Sequence, residues 1–229
     1  METLLLCNRW LHITAGFIGF FVAPVALLVR KGGNAHRLWG RVFFWAMVVA
    51  GSSAILAASL KGMTFLLLTG IFSLYLAWFG YRALYLKRID AQHRPGLLDW
   101  SGTLLGLAVF VGTLIYGVVA GMVPSLVFGA IGVLTTGRQL WSYLRPEPMK
   151  PGQWLLNHMS GFVGSYIAAV SAFSATSLKF IPFPLNFLWP TLLGVPLLIW
   201  SQRRYKQQFT RGRQPNELVE VRIPAVSAT

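Results

Sequence analysis

Apolar runs of about 20 residues, each closed by a short polar or basic break, follow one another along almost the whole chain. Runs of that length match the hydrocarbon thickness of a bilayer. They predict seven helices, over 10–29, 38–60, 63–86, 98–122, 124–143, 154–178 and 182–200. Only Gly121-Met122-Val123-Pro124 separates the fourth from the fifth. That stretch predicts a tight hairpin, since proline is tolerated at a helix start and the alternative is a single span of excessive length. From Ser201 the apolar periodicity gives way to SQRRYKQQFTRGR. The expected fold is all-α: a polytopic transmembrane bundle of seven helices over 1–200, then a basic cytoplasmic tail over 201–229, disordered from Gln214.

Within two of these helices small and polar residues recur at spacings of three and four, which puts them on one face. They are His12, Gly16 and Gly19 in the first, and His158, Gly161 and Ser165 in the sixth. Helices in lipid associate by close packing of small residues, so both histidines are expected to face the bundle interior.

Composition agrees with the pattern. The chain is 55% hydrophobic and 11% charged, with a mean hydropathy of +0.59, outside the range of soluble domains. A net charge of +14 would suggest nucleic acid on a soluble surface, but here the basic residues punctuate apolar runs, which excludes that class. All of the 20 lysines and arginines except Arg9, Lys61 and Lys179 fall on one side of the seven-span arrangement. By the positive-inside rule that side is cytoplasmic, so the N-terminus lies outside and the C-terminus inside, in an inner (cytoplasmic) membrane. The basic residues beside the last helix are expected to meet anionic lipid headgroups. Trp10, Trp39, Trp100, Trp141, Trp154 and Trp200 fall at span ends, as an interfacial belt does. Cys7 is the single cysteine and rules out an intramolecular disulfide. The stretch METLLLCNRW lacks the basic start and the apolar length of a secretory or lipoprotein leader, so the first span is expected to remain.

Candidate chemistry rests on the four histidines. His36, His93 and His158 fall at the cytoplasmic starts of the second, fourth and sixth helices, and His12 near the outer end of the first. Three readings follow. His158 with His36 or His93 lies at one depth, as axial ligation of a b-type haem requires, with His12 serving elsewhere. His36, His93 and His158 together, with Asp90 or Asp99, suit a metal ion such as zinc. Arg37, Arg41 and Arg94, with the helix starts and with Arg138 two turns inside the fifth helix, suit an anionic lipid or a small anion, in a transporter or a binding protein. Beside all three stands a plain role for each histidine, a hydrogen bond to a carbonyl near a helix end, with no cofactor at all. Arg138 snorkels to the headgroups or pairs with Asp99, the one carboxylate at a credible depth.

The stretch LHITAGFIGF followed by AHRLWGR, and later AQHRP, resembles a family of bacterial multi-pass membrane proteins built on a domain of unknown function. The positions that carry the resemblance are His12, Gly16, Gly19, His36, Arg37, Gly40, His93 and Arg94, over about the first half of the chain. The chain departs from the pattern at Pro95-Gly96, where an aromatic residue is expected. The resemblance implies the membrane topology and brings no activity with it.

Overall fold

The computed structural model describes residues 2–90, 92–145, 148–150 and 152–219, so Arg222 and the end of the expected tail lie outside the described residues. Among these residues the chain is helical, without strands. Seven long helices, α1 (Glu2–Leu28), α2 (Asn34–Leu60), α3 (Thr64–Arg82), α4 (Leu97–Val119), α5 (Val123–Leu144), α6 (Gln153–Ser177) and α7 (Leu185–Thr210), precede a single turn, α8 (Pro215–Leu218). Gly62 and Gly121 take positive φ at the turns after α2 and α4, which lets each chain reverse within three residues. The hairpin expected at Gly121-Met122-Val123-Pro124 is there, with Pro124 in the first turn of α5.

Most boundaries shift by no more than four residues, as where α2 begins at Asn34 and α3 ends at Arg82; two shift further, each for a visible reason. Helix α1 begins at Glu2, because Asn8 docks it on α2 by donating from Nδ2 to the Ser53 carbonyl at 2.9 Å. Helix α7 continues past Trp200 to Thr210. Gln202 ties this extension to α6, donating from Nε2 to the Leu156 carbonyl and to Ser160 Oγ at 2.9 and 2.7 Å. Phe209 then lies over Gly152, where any side chain would collide with its ring.

Helices α1, α2, α3 and α6 pack in a ring, each against the next, around Ala23, Phe43, Phe44, Met47 and Ala77, with Phe162 and Tyr166 against them. A second core lies on the other face of α3 and α6, where the α4–α5 hairpin and α7 contribute Phe110, Phe128 and Phe187 to a cluster with Phe72, Tyr75, Leu76 and Phe79. Helix α3 serves both cores. Its seam with α6 is closest at Gly80 and Gly161, whose backbones touch, and Ser165 continues it by donating to the Ser73 carbonyl at 3.0 Å. The face expected on the sixth helix is this seam.

Large apolar side chains, among them Trp10, Leu105, Val119 and Leu197, cover the exterior. Five helices (α1, α2, α3, α4 and α6) are long and apolar enough to cross a membrane. An all-helical bundle with such helices and such an exterior is compatible with a multi-pass membrane protein. The α1–α2, α3–α4 and α5–α6 connections and the end of α7 share one end of the bundle. Among the described residues that end carries every lysine and arginine except Arg9, Lys61 and Lys179.

Candidate functional site

At the basic end, His36 on α2 and His158 on α6 face each other across the four-helix ring with ring centroids 6.3 Å apart and planes at 75°. Each ring is fixed by the same device. His36 Nδ1 donates to the Ala26 carbonyl at 2.9 Å, and His158 Nδ1 to the Gly80 carbonyl at 3.0 Å. Ala26 and Gly80 stand two residues before the ends of α1 and α3, where helix carbonyls lack a donor from the next turn. A carbonyl only accepts, so the proton resides on Nδ1 and Nε2 keeps its lone pair. Neither Nε2 makes a hydrogen bond among the described residues. Capping of helix ends thus explains one nitrogen of each ring and leaves the other without a structural task. Phe162 lies 4.6 Å from the His158 ring and Phe43 5.6 Å from Phe162, so His158 packs against an aromatic pair. In the adjoining α1–α2 turn, Lys31 donates to the Leu27 carbonyl and its ammonium pKa is lowered by burial.

The other histidines are elsewhere. His12 points from α1 to α2, with Nδ1 donating to the Ala50 carbonyl at 2.9 Å, toward the opposite end of the bundle. His93 is exposed in the α3–α4 connection and bonds Asp90 Oδ1 at 3.0 Å. That carboxylate also accepts from the backbone N–H groups of Gln92 and His93. Its pKa is held below the usual carboxylate range, by the His93 backbone N–H first and the His93 ring second. So the structure joins His158 to His36 and separates both from His93. Among the described residues no three His, Cys, Asp or Glu side chains gather as a metal would need.

Asp99 is buried at the start of α4, and its partner is Arg82 at the end of α3, with Nε and Nη2 on its two oxygens at 2.7 and 2.9 Å. Asp99 also accepts from the Gly96 N–H at 3.1 Å, which closes a capping box. Arg82 thus takes the place that the alternative reading gave to Arg138 as the partner of Asp99. Arg138 faces outward from α5 and makes no ion pair among the described residues. The arginines expected to share an anion site come from α2, the α3–α4 connection and α5. Arg37 donates to Asn34 Oδ1 at 2.8 Å, Arg41 lies one turn further along α2, and Arg94 lies in the α3–α4 connection.

Two groups of polar residues carried no prior signal. One is Arg82, which read as a topological charge at a helix end. The other is a buried line from α3 to α5, in which Tyr75 donates to Gln139 Oε1 at 2.9 Å and Gln139 Nε2 donates to Tyr143 at 2.5 Å. Tyrosine and glutamine in apolar runs were visible, but their meeting across helices was not.

The fold and the pair define a helical bundle with two oriented imidazoles at its basic end. Comparison with protein-family profiles, with characterised proteins and with solved structures returns no match, so the family resemblance rests on the motif residues already named.

Proposed function

We propose that the protein crosses a bacterial inner membrane seven times, N-terminus outside and C-terminus in the cytoplasm, and that His36 and His158 are axial ligands of a b-type haem near the cytoplasmic face, in a protein that carries electrons. The topology is supported by the concentration of basic residues at one end of the bundle. On this reading α5 and α7 complete the spans despite Arg138 and the polar end of α7.

The cofactor reading is carried by the histidine pair. The two rings lie 6.3 Å apart, so one group held between them would meet both imidazoles. An Nδ1–H held by a backbone carbonyl is the usual second contact of a ligating histidine, since it fixes the tautomer and makes Nε2 the better donor to a metal. Ligand count favours haem over a bare ion. Haem iron takes its equatorial ligands from the macrocycle and needs the protein only above and below, whereas zinc takes roughly three or four protein ligands. The bound haem would supply one-electron chemistry. The chain's part is to orient the imidazoles through Ala26 and Gly80 and to keep water away with Phe43 and Phe162.

An absorption spectrum of the purified protein in detergent, with metal analysis, tests this. A Soret band is expected that His36→Ala and His158→Ala each abolish, and that His93→Ala and His12→Ala retain. A Soret band that survives His158→Ala rejects the ligand assignment. A colourless, metal-free protein that takes up no added haem rejects the cofactor and leaves both histidines as helix caps.

A further inference from the structure

The α3–α4 connection lines an open cleft of about 500 Å³ at the basic end, separate from the histidine pair. Its walls include Arg82, Lys87, Arg88, His93, Arg94 and Asp99. The local carboxylates are already committed. Asp99 is bound by Arg82, and Asp90 by the His93 ring and two backbone N–H groups. The lysine rests over the Trp154 ring at 5.3 Å, which positions its charge without neutralising it. Arg88 and Arg94 are exposed and have no hydrogen bond or ion pair among the described residues. Four cations against two carboxylates leave positive charge concentrated in one concave place.

The cleft is built rather than loose. Ile89 is buried, and its carbonyl accepts from the Met149 N–H at 3.0 Å, which ties this connection to the one between α5 and α6. Asp90 then ties the two sides of the connection, its carboxylate accepting from the Gln92 and His93 N–H groups and its own N–H donating to the His93 carbonyl. At its edge Tyr85, Leu97 and Leu98 expose large apolar surfaces, Leu97 to 87%. A concave cationic site bordered by apolar side chains, where helices leave the apolar zone, matches an anionic headgroup attached to acyl chains.

We propose that this cleft binds a phosphate group, with Arg88 and Arg94 as its charge-assisted donors. Guanidinium forks match phosphate oxygens in geometry as well as charge. The phosphate can belong to a membrane lipid or to a soluble molecule, and the apolar edge favours the lipid.

The test uses the full chain, purified and delipidated in detergent, with two probes: phosphatidylglycerol, followed by native mass spectrometry against phosphatidylcholine, and inorganic phosphate, followed by calorimetry. The variant is Arg88→Gln with Arg94→Gln. The control is Arg203→Gln with Arg204→Gln, which removes equal charge from α7 outside the cleft. Wild type is expected to prefer phosphatidylglycerol, and the cleft variant to lose at least about tenfold in affinity, the effect of one charge-assisted hydrogen bond. The control is expected to stay within about twofold, as rim charges do. Loss of phosphatidylglycerol binding alone assigns the site to a lipid, and loss of inorganic phosphate binding alone assigns it to a soluble phosphate. Equal binding by wild type and the cleft variant to both probes overturns the proposal. So does a loss as large in the control, which would mean a diffuse basic surface.

Discussion

A carboxylate at 1% exposure costs several kcal/mol unless a cation and hydrogen bonds meet it, and Asp99 has both. Truncating Arg82 alone would strand that charge. Arg82→Ala is therefore expected to destabilise the protein by about 3–5 kcal/mol, while Arg82→Met combined with Asp99→Leu recovers most of the loss. Arg138→Ala, at an outward-facing position, is expected to change stability by no more than about 0.5 kcal/mol. Thermal denaturation midpoints in detergent measure all three, and an Arg82→Ala protein as stable as wild type would refute the account. Asp99 is legible in the sequence as the one carboxylate at a credible depth, whereas Arg138 reads first as a snorkelling residue and only alternatively as its partner. Apolar spacing gives a residue's depth along a helix but not which neighbour it faces, and it cannot distinguish a loop cation from one that folds back onto α4. The histidines show the same limit. Depth grouped His36, His93 and His158, and only the ring of helices separates the joined pair from the exposed third.

Between helices, the α3–α6 seam determines where the histidine pair sits. A methyl group at Gly161 would overlap the backbone of α3 at Gly80, so Gly161→Ala forces the two helices apart. A cost of about 1–3 kcal/mol is expected, as for overpacking elsewhere. The same change should lengthen the bond from His158 to the Gly80 carbonyl, which hydrogen-exchange or vibrational measurements on the imidazole can follow. Gly112→Ala is the control, with nothing within 4 Å of the added carbon, and no loss is expected there. If both alanine variants behave alike, close approach is not what this seam needs. The seam was legible in the sequence because His158, Gly161 and Ser165 recur at helical spacing. The matching pattern in α1 was legible only in part. Gly19 packs on Met47 and Ala46, but Gly16 meets nothing and His12 sits exposed at the margin, since α1 has neighbours on fewer sides.

Over the whole molecule, alternation of apolar runs with basic breaks was enough to read the order of the seven long helices, and the uneven charge to mark one end of the bundle. The lengths of α1 and α7 were not readable, because each extends through contacts with a distant helix: Asn8 with α2, Gln202 with α6. A reporter enzyme joined after Thr229 that works only in the cytoplasm is expected to be active, and one inserted at Gly62 inactive; the reverse would invert the orientation. Helix α3 carries a larger consequence. Gly80 and Arg82 stand two residues apart on its last turn, one holding an imidazole, the other the carboxylate beside the cationic cleft. One turn of helix therefore orients both groups, so a substitution that displaces the end of α3 is expected to disturb the His158 contact and the Arg82–Asp99 pair together.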